Sequence, residues 1–191
     1  EDEKGAYILN SKDLCMIEHI PELIQSGIDS LKIEGRMKSA YYVASIVKSY
    51  RQAIDAYFDN PEEYVFQKKW LENLEKASHR AYFTGFYFGD PNKQTYETSS
   101  YIRDYDIVGV VREYDKSTGL ATIEQRNKVL EGDTVEILRP VGDNFEIKLD
   151  DMRNSKGEKI QSAPSAQMIF TIKTDIELEK DDMLIKSKIN R

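Results

Sequence analysis

Ser30-Leu31-Lys32-Ile33-Glu34-Gly35-Arg36-Met37-Lys38 reads as a short strand that runs into a helix, with charges crowded at the junction. Leu31 and Ile33 fall on one face of a period-two strand, and Lys32 and Glu34 on the other. In a parallel barrel Leu31 and Ile33 would pack under helices while Lys32 and Glu34 point into the lumen. The carboxyl ends of such strands are where barrel folds build active sites. An amphipathic strand with one wet face explains the alternation about as well, so the flanking segments have to decide.

Upstream, Ala6-Tyr7-Ile8-Leu9-Asn10 reads as a second short apolar strand, with Ser11 suited to cap the segment after it. Leu14, Ile17, Ile20 and Ile24 recur at helical spacing, Pro21 can open a helical turn, and Gly27 sits where a helix C′ residue is expected. Downstream, the spacing of Val43, Ile46, Val47, Tyr50 and Ile54 predicts a longer helix from Ser39 to about Phe58. Strand, helix, strand, helix with tight links is a right-handed parallel βαβα run. Two parallel strands do not make a stable sheet by themselves. The chain begins with Glu, and no signal peptide or membrane-spanning run precedes the first strand. The expectation is therefore that residues 1–58 are the last two βα units of a TIM-like barrel whose earlier units lie outside this sequence.

The bulk numbers set outer limits. At 191 residues, 40% hydrophobic and 32% charged, the chain has room for one or two domains with a real core. A net charge of −7 argues against broad binding to a nucleic-acid backbone, though it permits a local basic patch. A single Cys cannot form an intramolecular disulfide, which fits a reducing cytoplasm. Two His and one Cys, far apart in sequence, give no metal-ligand spacing. Cys15 sits in an apolar helical pattern and reads as a buried, inert thiol rather than a nucleophile.

Asp59-Asn60-Pro61-Glu62-Glu63 breaks the long helix, and a further helix is expected at about Gln67 to Ala77, carrying Trp70, Leu71 and Leu74. His79-Arg80 then precedes a dense aromatic run, Tyr82-Phe83-Thr84-Gly85-Phe86-Tyr87-Phe88. That run is either a pocket lining with His79 and Arg80 as polar anchor, or an aromatic plug in the seam between two domains. Residues 90–105, polar and without apolar periodicity, read as a linker or a long surface loop. From 106 onward the pattern changes to short strands at 107–111, 120–124, 134–138, 145–149, 168–173 and 183–186, broken by Gly, Asp and Asn. Such spacing predicts a small antiparallel β-barrel that closes on itself to hide its edges. The organisation expected is thus α/β plus β: 1–58 partial barrel, 59–105 helix, aromatic segment and linker, 106–191 small barrel.

Three runs now combine: Asn10-Ser11-Lys12-Asp13-Leu14; Gly27 through Arg36 with Lys38 and Tyr42; and His79-Arg80 followed by Thr84-Gly85-Phe86. Together they resemble the carboxyl-terminal half of the collagenase-like peptidase family U32, over essentially the whole chain. The resemblance implies a larger parent with an amino-terminal TIM-like barrel, and a terminal barrel similar to the second domain of translation factors. Some members carry protease or collagenase names. Others are implicated in hydroxylating the wobble uridine of tRNA, with prephenate as hydroxyl source, and carry an iron–sulfur cluster. The cluster cysteines of such members lie upstream, and Cys15 matches none of them, so no cofactor is expected in this stretch.

Carried over by position, Asn10 and Lys12 end the penultimate strand, and Glu34, Gly35, Arg36 and Lys38 end the last one. Adjacent barrel strands would bring these groups to a shared mouth. Glu34, Arg36 and Lys12 are the candidate catalytic residues, Glu34 as acid, base or cation holder. Asn10, Gly35, Lys38, His79 and Arg80 are the candidate substrate-binding residues. Arg36 and Lys38, near a helix amino terminus, suit a carboxylate or phosphate, so tRNA and a dicarboxylate such as prephenate both fit. A structural Glu34–Arg36 ion pair is the competing reading. The favoured function is part of a tRNA-hydroxylating enzyme that needs its upstream barrel half and is inactive without it. A peptidase is the alternative, although no Ser/His/Asp or Cys/His set and no H-E-x-x-H helix is evident. A non-catalytic barrel that docks RNA or protein is the third.

Overall fold

The computed structural model describes residues 12–89 and 100–188 and divides the chain into two compact units, Glu1–Arg103 and Asp104–Arg191. The expected strand at 6–10, the cap at Ser11, the candidate Asn10 and most of the 90–105 linker lie outside the described residues.

In the first unit, strand β1 (Asp13–Leu14) is followed by a 3-10 turn at Ile17–His19 and by helix α1 (Ile20–Gln25). Pro21 lies in the first turn of α1, where its missing N–H costs nothing. Gly27, at φ +78°, ends the helix with its N–H bonded to Ile24 O at 3.0 Å, as its position predicts. Helix α2 (Ala40–Asp59) begins where Ser39 Oγ accepts a hydrogen bond from Tyr42 N at 3.2 Å. Helix α3 (Lys68–Lys76) buries Trp70 and Leu74. Strand β2 (Tyr82–Phe83) pairs in parallel with β1, Asp13 opposite Tyr82 and Leu14 opposite Phe83.

Three sequence expectations change here. Residues 28–35 form no strand. A parallel strand exists only with a neighbour to take its ladder bonds, and the partner claimed by β1 is the aromatic run at 82–83. Leu14 belongs to β1 and is exposed, so it is not part of a helical stripe. The buried side of α2 is also rotated from the expected stripe. Tyr41, Ile46 and Ala53 are buried, whereas Val43 and Val47 are 39% and 45% exposed. Ser45 Oγ donates to Asn73 O at 2.8 Å, so the side of α2 that meets α3 is covered. The other side borders an open apolar groove of about 430 Å³ walled by Ile20, Leu23, Ile33, Val47, Ile54 and Phe58. Periodicity reports that a helix has an apolar face, not which neighbour covers it.

The second unit is mostly β. Its strands are β3 (Tyr105–Asp115), β4 (Leu120–Gln125), β5 (Val129–Leu130), β6 (Thr134–Leu138), β7 (Phe145–Lys148), β8 (Arg153–Asn154), β9 (Ser162–Ala163), β10 (Ile169–Lys173) and β11 (Met183–Ser187). Seven of them form one antiparallel sheet in the order β7-β6-β11-β3-β4-β10-β8, and β5 pairs with β9. Alternation places Ala121, Ile123 and Gln125 of β4 inward, where Val108, Ile137, Phe170, Ile172 and Leu184 complete a dry core. The expected closure is incomplete, because β7 and β8 are not hydrogen-bonded to each other. The chain itself joins these edges through residues 149–152. The Glu131 carboxylate pins that link, accepting from Asp151 N at 2.9 Å and Met152 N at 2.7 Å.

Candidate functional site

The parallel pairing of β1 with β2 brings Asp13 beside Arg80. Asp13 Oδ1 accepts from Arg80 Nε and lies 2.9 Å from Arg80 Nη2, while Asp13 Oδ2 accepts from Arg80 N at 2.9 Å. This ion pair forms one wall of an open cavity of about 640 Å³ in the first unit, whose lining also includes Cys15, Glu34, Lys38 and Tyr101.

Lys38 stands just before the cap of α2. Its Nζ donates to Ser78 O at 3.0 Å and lies 4.1 Å from the Tyr101 ring centroid and 5.0 Å from that of Tyr42. Burial pulls the Lys38 ammonium below the usual lysine range; Asp13 opposes the fall, while Arg80 and Arg103 add to it. Arg80 and Arg103 also approach Tyr101, at 5.7 Å and 5.8 Å from its centroid. The cavity therefore gathers positive charge around an aromatic ring.

On the apolar side, the Tyr50 hydroxyl accepts from Met16 N at 2.9 Å and donates to Cys15 Sγ at 3.9 Å. Burial pushes Tyr50 far above the ordinary phenol range, and burial likewise raises the Cys15 thiol. At neutral pH the pair is a phenol bonded to a thiol, which is poor nucleophile chemistry.

The sequence-derived candidates separate. Glu34, Lys38 and Arg80 share the cavity; Lys12, Gly35, Arg36 and His79 do not line it. Glu34 Oε1 accepts a hydrogen bond from Arg36 N at 2.8 Å, so its carboxylate closes a local turn through the backbone. A Cβ at Gly35 would sit 2.9 Å from Val43 Cγ2, so a larger residue there would push the Val43 side chain aside. His79 is buried, donates from Nδ1 to Ala77 O at 2.8 Å, and stacks on Tyr82 with centroids 4.6 Å apart. Of the aromatic run, Phe86, Tyr87 and Phe88 are exposed, and Phe88 packs against His19 at 4.3 Å. The site also contains residues the sequence reading passed over. Asp13 lay inside a recognised motif and could have been singled out, whereas Tyr101 and Arg103 fell in a stretch that reads as linker.

With this geometry in place, comparison with known proteins gives the class. The family model for peptidase family U32 matches residues 1–97, and that for the U32 C-terminal domain matches residues 103–184. The chain belongs to peptidase family U32. It is 40% identical over 189 residues to the tRNA hydroxylation protein P1 of Bacillus subtilis, covering 98% of this chain and 45% of that protein. It is 28% identical over 171 residues to a collagenase of Porphyromonas gingivalis, covering 88% of this chain and 47% of that one. The chain thus spans less than half the length of these relatives. A crystal structure of the C-terminal domain of a U32 family protein from Geobacillus thermoleovorans is 31% identical, with TM-score 0.41, covering 42% of this chain and 99% of that one.

An iron–sulfur cluster needs several thiolates. This chain has one Cys, and among the described residues no three metal-ligating side chains converge. The residues present do not fit such a group. No helix among the described residues is long and apolar enough to cross a membrane.

Proposed function

We propose that this chain is the part of a tRNA-hydroxylating protein that shapes one wall of its substrate mouth, working in the cytoplasm on the wobble uridine. The observation that carries this reading is the cationic, aromatic-lined cavity around Lys38, in a chain 40% identical to a tRNA hydroxylation protein. Lys38 and Arg80 hold an anionic group of the substrate, either RNA or a small dicarboxylate such as prephenate. Glu34, fixed by the backbone of Arg36, is the group that can take or release a proton at the mouth. Lys12, Gly35, Arg36 and His79 support these groups from outside the cavity.

In the same proposal, the first unit completes a TIM-like barrel with the region that the relatives possess beyond the matched length. The open groove beside α2 is the apolar surface such a barrel would cover. Any iron–sulfur cluster would be held by that other region. The second unit serves as the appended small barrel resembling translation-factor domain 2.

The collagenase relative keeps a peptidase reading alive. Against it, the polar partner of Cys15 is Tyr50, and His79 is bound to Ala77 O. Both readings are separated in cells that lack their own tRNA hydroxylation genes. Expression of the full-length protein should restore hydroxylated uridine, measured by nucleoside mass spectrometry of purified tRNA. Unmodified tRNA, together with cleavage of gelatin by the purified protein, would reverse the assignment.

A further inference from the structure

Lys38 and Arg103 converge on one residue and one ring. Lys38 Nζ donates to Ser78 O at 3.0 Å, and Arg103 Nε donates to Ser78 Oγ at 3.2 Å. Both head groups face Tyr101, at 4.1 Å and 5.8 Å. Arg80, which reaches the same ring, has its charge answered by Asp13. Among the described residues, no carboxylate stands within ion-pair distance of Lys38 or Arg103. Each has used one N–H donor on Ser78, and an ammonium carries three and a guanidinium five.

We infer that Lys38 and Arg103, set about Ser78 and Tyr101, form a binding site for a backbone phosphate of single-stranded nucleic acid. A phosphate presents several oxygens to a point charge and a planar fork at once. Tyr42, Tyr87 and Tyr101 line the open cavity that Lys38 also lines, and supply the aromatic surface on which unpaired bases stack. Burial, with Arg80 and Arg103 adding to it against the opposing charge of Asp13, holds the Lys38 ammonium below the usual lysine range, which accords with a cation partly withdrawn from solvent. The polynucleotide identity of the ligand rests on the proposed tRNA function; the anion site itself stands on the geometry. Neither Arg103 nor Ser78 belongs to the motifs that carry the family resemblance.

The test uses the full-length protein and a labelled single-stranded RNA oligonucleotide, read by fluorescence anisotropy over a series of salt concentrations. Lys38→Met and Arg103→Met should each weaken binding and lower the salt slope by about 0.7 to 1. Lys38→Arg should restore most of the loss, which separates charge from misfolding. Lys68→Met, on the exposed face of α3, should bind as wild type. Malonate, as a small dicarboxylate, is titrated in parallel. Unchanged affinity and slope in both methionine variants overturn the site. Binding of malonate that depends on Lys38 and Arg103, without RNA binding, overturns the phosphate assignment. RNA binding that depends on both cations in a protein unable to restore tRNA hydroxylation supports the site and defeats the functional reading instead.

Discussion

Asp13 and Arg80, 67 positions apart in the chain, meet through both carboxylate oxygens at 2.9 Å. The contact locks β1 onto β2 and carries the cavity wall with it. One side chain is 19% exposed and the other 29%, so solvent screens the pair only in part. Asp13→Asn should destabilise the first unit by about 1.5–3 kcal/mol, the range for charge-assisted bonds. Urea unfolding reads the loss. A variant as stable as wild type would show the tie to be dispensable.

Lys38 should leave a signature in alkaline solution. Its folded pKa lies below the ordinary 10.5, so between those values this group binds more protons in the unfolded chain than in the native one. Lys38 therefore contributes a gain in stability with rising pH in that window, as the cost of burying its charge disappears. Cys15, Tyr42, Tyr50, Tyr64 and Tyr82, whose folded pKa values are raised, contribute in the opposite direction. The Lys38 contribution should vanish in Lys38→Met and is read as the difference between the two proteins. Parallel stability–pH curves for the two proteins, from neutral pH to about 10.5, would contradict the assignment.

Tyr50 should matter for structure more than for chemistry. Tyr50→Phe leaves the Met16 N–H without its acceptor and should cost about 1–3 kcal/mol in chemical denaturation. Wild-type Cys15 should alkylate more slowly at neutral pH than free cysteine, because burial keeps its thiol protonated. Rapid labelling of the native protein would show the thiol to be accessible and activated.

In the second unit, Phe170 of β10 is fully buried in the hydrophobic core. Phe170→Ala should cost about 3–5 kcal/mol through lost burial and the cavity left behind. Calorimetry should place the shift in the melting of the second unit. A change below about 1 kcal/mol, closer to that of a surface substitution, would mean that the core lies elsewhere.

What the sequence disclosed depends on how far each signal reaches. Gly27 marks a helix end by local chemistry and acts as expected, while Ser39, read as the first helical residue, instead caps α2. The longer strands of the second unit alternate clearly enough to be found, as β4 shows with Ala121, Ile123 and Gln125 inward. The two-residue strands β5, β8 and β9 are too short to carry a period. Leu31 and Ile33 have strand alternation yet form no strand, because pairing depends on a neighbour that no local pattern specifies. For the site, Glu34, Lys38 and Arg80 were legible because they stand in motifs. Tyr101 and Arg103 were not, since only the fold brings them to Lys38 from so far along the chain.

The most direct measurement is the hydroxylated-uridine content of tRNA from cells whose only source of the activity is the full-length protein, wild type or carrying Lys38→Met or Lys38→Arg at equal protein levels. The account predicts a drop of about tenfold or more in the methionine variant, equivalent to at least ~1.4 kcal/mol of lost substrate or transition-state binding, and partial recovery with arginine. Equal modification in all three strains would contradict it.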